Sequence, residues 1–337
     1  MGPDPMTPLV RRFPALERLS RAALGLFPTP VQEMSALAPG LWFKREDLTA
    51  DPLGGNKVRA LEFLLGGVRA GDRVVTVGAA GSTHVLATVV YARQLGARPL
   101  AYRWRQEMNE AARLVSERIA RESGSPRVEA GVIGAYVRAF AARLLGAHWV
   151  PAGGSTPIGV LGQVNAALEL SEQVENRLLP RPDRVVVPLG TGGTIAGLAL
   201  GFAIANLDTV VIGVRVVPRV VANLTRVQRL MRRTSRLIER VTEAPLPRMR
   251  ETVIRIAHDF YGGAYGRSTT AGNNASRRCA ARTGLAIDPT YGAKALAAAL
   301  AEHEERGGTT LFWLSFDARW LQHEQDAGSS PNVVALT

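Results

Sequence analysis

Arg184-Val-Val-Val-Pro-Leu189 runs directly into Gly190-Thr-Gly-Gly-Thr194, and a helix-like stretch of small and apolar residues, 195–205, follows. A short β-branched run predicts a buried strand, and the glycines predict a tight turn between that strand and the helix. Strand, glycine turn and helix in this order are typical of an α/β protein with parallel sheets. Such proteins bind ligands at the carboxyl ends of their strands, so this turn is a candidate site.

The same order of elements recurs along the chain. Arg73-Val-Val-Thr-Val77 predicts a strand that ends in Gly78-Ala-Ala-Gly-Ser-Thr-His84, and a helix-like run, 85–95, closes at Gly96. Further segments with strand or helix patterns are the strands 97–104, 210–217 and 310–315 and the helix 58–65. We therefore predict an α/β fold built from mostly parallel sheets flanked by helices.

Composition excludes several classes of protein. The chain has 337 residues, 46% of them hydrophobic and 21% charged, which is enough to form a core and argues against disorder. A single cysteine, Cys279, excludes a disulfide framework and any multi-cysteine metal site. No apolar run approaches the roughly 20 residues that span a membrane, and residues 1–30 lack the apolar region of a signal peptide. We expect a cytoplasmic protein with no membrane partner and no metal.

Lysine is unusually scarce. Of the 41 basic residues only Lys44, Lys57 and Lys294 are lysines. Lysine can lose its proton and act as a nucleophile, whereas arginine stays charged. Lys57 follows Gly54-Gly-Asn56 at the predicted start of a helix, where a cation is disfavoured and the neutral amine is favoured. The alternative is an ordinary turn that carries an exposed lysine.

The glycine turn 190–194 and the segment 82–84 are candidate anion sites. Backbone N–H groups and the Thr191 and Thr194 hydroxyls would bind a phosphate monoester, although a merely structural turn is the alternative. The turn lacks the Gly-Lys-Ser/Thr of a Walker loop and the spacing of a dinucleotide fingerprint. Ser82-Thr83-His84 would suit a small carboxylate, or Ser82 would simply cap a helix. Tyr265-Gly266 and Asp288-Pro-Thr-Tyr291-Gly292 each place a phenol beside a glycine, where a core tyrosine is the alternative.

Taken together, these motifs resemble the pyridoxal-phosphate enzymes of the tryptophan-synthase-β fold. They are most similar to the family of D-cysteine desulfhydrase and 1-aminocyclopropane-1-carboxylate deaminase. The motifs that carry the resemblance, in chain order, are Arg12-Phe-Pro-Ala-Leu16, Pro28-Thr-Pro30, Leu41-Trp-Phe-Lys-Arg-Glu-Asp-Leu-Thr49, Gly54-Gly-Asn-Lys-Val-Arg59, Gly154-Ser-Thr-Pro-Ile-Gly159, Gly190-Thr-Gly-Gly-Thr194, Tyr265-Gly266 and Asp288-Pro-Thr-Tyr291.

The resemblance implies a fold-type II enzyme with two open twisted sheets and the cofactor in the cleft between two domains. The small domain would span 51–165, and the large cofactor-binding domain would combine 1–50 with 166–337. Pyridoxal 5'-phosphate would be held by Lys57, Asn56, Gly190, Thr191, Gly192, Gly193, Thr194 and Ser315. The substrate carboxylate would be bound by Ser82, Thr83 and His84. Catalysis would rest on Lys57, Ser82, Tyr265 and Tyr291.

The function implied is the cleavage of a small β-substituted amino acid, as by D-cysteine desulfhydrase, to an α-keto acid and ammonia. A homodimer is also expected. The alternatives are 1-aminocyclopropane-1-carboxylate deamination and a cofactor-binding relative with an altered substrate in a specialised pathway. Thr83 replaces a usual asparagine, and Gly292 replaces glutamate or threonine, so substrate identity and chirality stay open. Asp317 rather than Ser315 is a second candidate to meet the ring nitrogen of the cofactor.

One segment favours a different class of function. Residues 224–241 carry arginines interleaved with apolar residues at helical spacing, and they are Arg226, Arg229, Arg232, Arg233, Arg236 and Arg240. With a net charge of +12, an arginine-rich face raises the hypothesis of nucleic-acid binding. The solvated outer face of an amphipathic helix is the commoner explanation, so we do not expect a nucleic-acid partner.

Overall fold

A computed structural model describes residues 7–51, 53–124, 128–129, 131–246, 253–321 and 324. Its helices are α1 (Pro8–Arg12), α2 (Lys57–Leu64), α3 (Thr83–Gln94), α4 (Glu110–Glu122), α5 (Val132–Leu144), α6 (Pro157–Glu175), α7 (Gly193–Ala205), α8 (Leu224–Thr242), α9 (Thr270–Thr283) and α10 (Gly292–Arg306). Its strands are β1 (Val31–Glu33), β2 (Leu41–Arg45), β3 (Arg73–Ala79), β4 (Arg98–Trp104), β5 (Val128–Glu129), β6 (His148–Val150), β7 (Arg184–Leu189), β8 (Val210–Arg215), β9 (Ile254–Ala257) and β10 (Thr310–Leu314).

The strands form two sheets. One has four strands in the order β5-β4-β3-β6, and the other has six in the order β1-β2-β10-β7-β8-β9. Among the described residues only β1 pairs antiparallel, and the other strand pairs are parallel. Buried apolar side chains of the flanking helices cover the sheets, as parallel sheets require. The predicted fold class is therefore confirmed.

The predicted elements occupy the expected segments. The strand predicted at 184–189 is β7 with the same bounds, and the strand predicted at 310–315 is β10, which ends one residue earlier. Helix α3 begins at Thr83, two residues before the predicted start, because the Ser82 side chain accepts a hydrogen bond from Val85 N and caps the first turn.

Helix α6 packs against both α2 and α7, each of which follows a glycine turn. A Cβ at Gly162 would lie 2.0 Å from the Arg59 carbonyl oxygen, and one at Gly197 would lie 2.3 Å from Gln163 Cβ. Glycine is required at both positions because the backbones approach too closely for a side chain. This packing fixes the distance between the starts of α2 and α7.

Buried charges join β2, α2 and α6. Lys44 Nζ donates to Glu169 Oε1 at 2.6 Å, and Arg59 donates to both Glu46 and Glu169 at 2.6–3.0 Å. These four charged side chains are almost completely buried. Buried ions need partners of opposite charge, and each of these four side chains has one. The ion pairs also fix α2 relative to α6.

The two sheets use separate stretches of the chain. The four-stranded sheet comes from residues 73–150, and the six-stranded sheet comes from 31–45 and 184–314. The predicted domain boundary at residue 165 falls inside helix α6 rather than between two elements. The division of the chain at 51 and 165 therefore stays a prediction. No helix of the described segments is long and apolar enough to cross a membrane. Residues 1–6 of the N-terminal segment considered above lie outside the described residues.

Candidate active site

A cavity of about 780 Å³ opens between the carboxyl ends of the two sheets. Its size lies within the roughly 300–1,000 Å³ usual for small-molecule sites. Ten of the residues predicted to bind the cofactor or the substrate or to take part in catalysis line it, and they are Asn56, Lys57, Ser82, Thr83, His84, Gly190, Thr191, Tyr265, Tyr291 and Ser315. Gly192, Gly193 and Thr194 follow in the same turn, and Thr194 is bonded to Asn56. Segments far apart in sequence therefore meet at one site.

Lys57 is the first residue of α2 and lines the cavity. Burial lowers the pKa of its amine from 10.5 to about 8. Within the described chain no carboxylate forms an ion pair with it, so no nearby anion opposes that shift. At neutral pH a larger share of this amine is therefore neutral than for a lysine with a pKa of 10.5, and the neutral amine is the nucleophilic form.

The backbone before Lys57 is held from both sides. Asn56 N donates to the Ser315 carbonyl at 3.0 Å, and Gln163 Nε2 donates to the Asn56 carbonyl at 2.7 Å. Gly55 has φ +148°, and a Cβ there would lie 2.8 Å from the Ser315 carbonyl oxygen. The glycine thus allows the chain to pass close to the end of β10, which orients the lysine toward the cavity.

The glycine turn after β7 forms an open cradle. Gly192 has φ +93° and precedes the first residue of α7, while a Cβ at Gly190 would meet no atom of the described residues within 4 Å. Thr191 Oγ1 and Ser155 Oγ are hydrogen bonded at 2.6 Å, and both residues line the cavity. Free N–H groups at a helix start together with two hydroxyls are suitable donors for a phosphate.

Asn56 joins the lysine segment to this turn, because its Nδ2 donates to Thr194 Oγ1 at 2.9 Å. Sequence reasoning predicted both residues but did not predict Ser155. Its position inside the motif Gly154-Ser-Thr-Pro-Ile-Gly159 was the available signal.

The segment 82–84 places donors on the opposite side of the cavity. Ser82 and Thr83 are partly exposed to the cavity, and the N–H groups of Thr83 and His84 belong to the first turn of α3, where the helix provides no acceptor. His84 Nε2 lies 3.0 Å from the Pro151 carbonyl, so that nitrogen carries the proton, and Nδ1 is an acceptor with no partner among the described residues. Burial and the Lys57 charge lower the His84 pKa to about 3. A carboxylate here would therefore meet the backbone N–H of His84 rather than its ring.

Tyr265 and Tyr291 form a pair, with a hydrogen bond between their hydroxyl groups and ring centroids 6.0 Å apart. Burial raises the pKa of Tyr265 well above 10 and that of Tyr291 to about 12. Hydrogen bonding to Ser82 lowers the Tyr265 pKa, and bonding to Thr83 lowers that of Tyr291, so each phenol faces the 82–84 segment. Both phenols keep their protons at neutral pH and can donate them.

Gly292 departs from the residues that the resemblance leads one to expect, and the structure gives the reason. Asp288 accepts hydrogen bonds from the backbone of Thr290, Tyr291 and Gly292 at 2.7–3.1 Å. A Cβ at Gly292 would lie 2.6 Å from Asp288 Oδ2. Glycine therefore lets the carboxylate hold the loop that carries Tyr291, and a glutamate or threonine at this position would require the loop to move.

Of the two candidates for the ring nitrogen, only Ser315 lines the cavity. The Asp317 carboxylate instead binds Arg319 at 2.8 and 2.9 Å and is buried beside Tyr91. The alternative in which Asp317 reaches the cavity has no support in this geometry.

Other lining residues were not predicted as part of the site. Gln106 Oε1 accepts a hydrogen bond from Gly81 N at 2.9 Å, which places an amide beside the 82–84 segment. Arg226, Arg229 and Arg233 of α8 also line the cavity, whereas Arg232, Arg236 and Arg240 do not. Since these three arginines are solvent-exposed, we call the part of the cavity that they line the outer cavity. In the described residues no group of three or more His, Cys, Asp or Glu side chains is arranged to hold a metal ion.

The chain is similar to known proteins in both sequence and overall structure. The profile of a family described as pyridoxal-phosphate dependent enzyme matches residues 22–315. Nocardicin C-9' epimerase of Nocardia uniformis subsp. tsuyamanensis is 34% identical over 88% of this chain and 92% of its own. D-cysteine desulfhydrase of Serratia proteamaculans is 30% identical over 85% of this chain and 87% of its own. A crystal structure of an ACC (1-aminocyclopropane-1-carboxylate) deaminase homologue has a TM-score of 0.75 at 26% identity, over 94% of this chain and 97% of that one.

Proposed function

The chain belongs to the family of pyridoxal-phosphate dependent enzymes, and from this premise we propose a lyase that cleaves a small β-substituted amino acid, with D-cysteine as the first substrate to test. One water is consumed, and the products are an α-keto acid, ammonia and, from cysteine, sulfide. The observation that carries the proposal is Lys57, whose amine lines the cavity without a carboxylate partner in the described chain and has a pKa of about 8.

The residues present fit the cofactor. The open space at Gly190, the N–H groups at the start of α7 and the hydroxyls of Thr191 and Ser155 would hold its phosphate. Lys57 would bind its aldehyde carbon, and Ser315 would hold its ring nitrogen. When bound, the cofactor supplies an electron sink for the electron pair left at the substrate Cα.

Lys57 and the 82–84 segment would perform the first steps of the reaction. The hydroxyls of Ser82 and Thr83 and the N–H groups of Thr83 and His84 bind and orient the substrate carboxylate. The neutral amine of Lys57 then removes the Cα proton, and a pKa of about 8 suits a base that works near neutral pH.

The tyrosine pair would serve the leaving group. Tyr265 and Tyr291 are protonated phenols that lie beside the carboxylate-binding segment. One of them can donate a hydrogen bond that stabilises the departing thiolate, which leaves with the electron pair of the broken C–S bond, while the hydrogen bond between the phenols holds the donor in place. The Gly292 backbone, fixed by Asp288, keeps Tyr291 in this position.

The test is direct. Purified protein supplied with pyridoxal 5'-phosphate should show the visible absorbance of bound cofactor, and Lys57→Ala should lose it. D-cysteine, L-cysteine, D-serine, cysteate and 1-aminocyclopropane-1-carboxylate are then assayed for keto acid and ammonia. Release of both from a β-substituted amino acid supports the lyase, and release from the cyclopropane amino acid alone supports the deaminase alternative. A protein that takes up no cofactor contradicts the proposal.

A second candidate is epimerisation at Cα, which the 34% identity to nocardicin C-9' epimerase favours. Inversion requires a proton donor on the face opposite the base, and the Tyr265–Tyr291 pair places protonated hydroxyl groups in the same cavity as Lys57. Incorporation of solvent deuterium at Cα with inverted configuration and no keto acid would identify this activity. Keto acid release without inversion would identify the lyase.

We also propose that the protein is a cytoplasmic homodimer. Helix α5 has exposed apolar side chains, among them Ile133, which is 81% exposed, and Leu144, which is 78% exposed. An exposed apolar surface of this kind supports the proposed homodimer. Light scattering of the native protein would give the oligomeric mass. The single cysteine, which is buried and unpaired, is in keeping with the reducing cytoplasm.

A further inference from the structure

Three arginines form one wall of the outer cavity. Arg226, Arg229 and Arg233 stand at positions i, i+3 and i+7 of α8, so they share one face of the helix, and all three line the cavity. None of them forms an ion pair or a side-chain hydrogen bond with another described residue. Three cations that face a cavity without partners are available to an anion.

An aromatic wall faces them. Trp104, at the end of β4, stacks on Tyr136 of α5 with ring centroids 6.0 Å apart and an interplanar angle of 19°. Burial raises the pKa of Tyr136, and the charge of Arg226 opposes this, which places the guanidinium near the phenol across the cleft. The outer cavity therefore has one flat apolar wall and one cationic wall.

Little negative charge offsets these arginines. Glu107 is the only carboxylate among the lining residues of the described chain, and it binds Arg267 at 2.5 Å. Arg105 also lines this part of the cavity. The electrostatic potential in the outer cavity is accordingly positive, and it attracts anions.

The cationic wall is continuous with the catalytic part of the cavity. A Cβ at Gly192 would lie 3.1 Å from Val227 Cγ2, so the first turn of α8 packs directly on the glycine turn. Arg226 precedes Val227, and Arg233 lies about 10 Å further along the axis at 1.5 Å per residue. A group attached to a substrate that reacts at Lys57 can therefore extend along this wall.

Resting on the proposed function, we propose that the substrate is an α-amino acid whose side chain carries a carboxylate at its far end, bound by Arg226, Arg229 and Arg233. The chain between the two ends lies against Trp104 and Tyr136. The 82–84 segment binds the α-carboxylate, so the two carboxylates are bound on different elements, and the arginines select for the second one.

An alternative occupant of the arginine wall is the cofactor phosphate itself. The glycine turn already offers that phosphate the N–H groups of a helix start and two hydroxyls. It also leaves free space at the position that a Cβ of Gly190 would occupy. The arginines extend along α8 beyond this turn, and their side chains line the outer cavity. The distal carboxylate of a substrate is the better match, and cofactor affinity separates the two occupants.

The test uses a pair of probes that differ in one charge. S-(2-carboxyethyl)cysteine ends in a carboxylate, and S-(2-carbamoylethyl)cysteine ends in the neutral amide of nearly the same shape. Both are prepared as D and L forms and titrated into the cofactor-loaded enzyme. The change in visible absorbance gives a dissociation constant even where no turnover occurs, and keto acid release gives kcat/KM where it does.

Two triple variants provide matched changes of charge. Arg226→Gln, Arg229→Gln and Arg233→Gln remove the wall, whereas Arg232→Gln, Arg236→Gln and Arg240→Gln remove three charges from the same helix outside the cavity. We expect the wild type to prefer the carboxylate probe about tenfold at low salt, and to lose part of that preference as salt is added. The first triple variant, called the wall variant, should bind the two probes with a ratio of dissociation constants near one. The second, called the control variant, should keep the wild-type ratio.

Other results would overturn the inference. These are a wild-type ratio near one, a preference that the wall variant retains, a preference that both variants lose equally, or failure of the wall variant alone to bind pyridoxal phosphate. The lyase proposal is judged separately. Keto acid release from D-cysteine without a carboxylate preference leaves the lyase intact, and a carboxylate preference in binding without any turnover leaves only the arginine site.

Discussion

Asn56 Nδ2 donates a hydrogen bond of 2.9 Å to Thr194 Oγ1 and so connects the two turns that would hold opposite ends of the cofactor. We predict that Asn56→Ala and Thr194→Val each weaken pyridoxal phosphate binding about tenfold, since each removes the same buried bond. The double variant should be little weaker than either single one. Dissociation constants from cofactor absorbance titrations give the coupling energy, and strictly additive losses would show that the two side chains act independently.

The two glycines of the phosphate turn should respond differently to alanine. Gly190→Ala places a methyl group in open space inside the cavity, so cofactor affinity should fall at least tenfold while the free energy of unfolding changes by less than about 0.5 kcal/mol. Gly192→Ala forces a side chain to adopt φ +93° and should cost about 1–2 kcal/mol of stability. Urea unfolding without cofactor, followed by cofactor titration, measures both. Equal effects of the two substitutions on stability would contradict the assignment of the cradle.

Lys57 should react with pyridoxal phosphate at a lower pH than an ordinary lysine. Only the neutral amine attacks the aldehyde, and a lowered pKa increases the neutral fraction at a given pH. The rate of cofactor uptake by the cofactor-free protein should therefore rise with pH around a midpoint of about 8 rather than 10.5. Stopped-flow absorbance gives the profile. Lys57→Ala should show no covalent phase, and Lys294→Arg, which changes a buried lysine outside the cavity lining, should keep the wild-type midpoint.

Ser315→Ala and Asp317→Asn separate the two candidates for the ring nitrogen. Ser315 lines the cavity, so its loss should lower kcat and shift the absorbance of the bound cofactor. Asp317→Asn breaks the ion pair with Arg319, which should lower the free energy of unfolding by about 1–3 kcal/mol and leave the cofactor spectrum unchanged. The reverse pattern, with a spectral shift only in Asp317→Asn, would assign the aspartate to the ring.

The buried ion cluster should matter for stability and for its dependence on pH. Glu169→Gln leaves Lys44 and Arg59 undercompensated and should cost about 3–5 kcal/mol. The control Glu172→Gln, on the same helix, breaks only the surface pair with Arg11 and should cost less than about 1 kcal/mol.

The pH dependence of the same variants tests the sign of this effect. Burial alone would raise the Glu169 pKa, but Arg59 and Lys44 lower it from 4.5 to about 2. A carboxylate with a lowered pKa stabilises the fold fully above pH 4.5 and progressively less as the pH falls toward 2. The difference in unfolding free energy between wild type and Glu169→Gln should therefore shrink below about pH 4.5. A difference that grows on acidification would contradict the ion pairing.

Local sequence was sufficient for the elements around the glycine turn because the signals there are local. A β-branched run, a glycine turn and a helix-forming run fix β7, the 190–194 turn and α7 without distant contacts. The motifs also indicated Lys57 and Tyr291, although their meeting in one cavity depends on parallel strands ending at the same edge.

What could not be predicted depends on tertiary packing. The six arginines of α8 look alike in sequence, and only the docking of Val227 on Gly192 decides which of them face the cavity. Ser155 joins the site through a hydrogen bond to Thr191, 36 residues away. Gly292 looks like a lost active-site residue until the position of the Asp288 carboxylate is known.

The placement of the three lysines has a consequence for chemical labelling. Lys44 and Lys294 are fully buried, whereas Lys57 is partly exposed and lines the cavity. Acylating esters and aldehyde crosslinkers, which decorate most proteins at many surface amines, would find one reactive lysine side chain here. Mass spectrometry of the labelled protein would then measure the number of functional sites. Bound cofactor or substrate would protect the single peptide that contains Lys57 from labelling. Immobilisation or fluorescent tagging through lysine would, for the same reason, inactivate the protein rather than mark its surface.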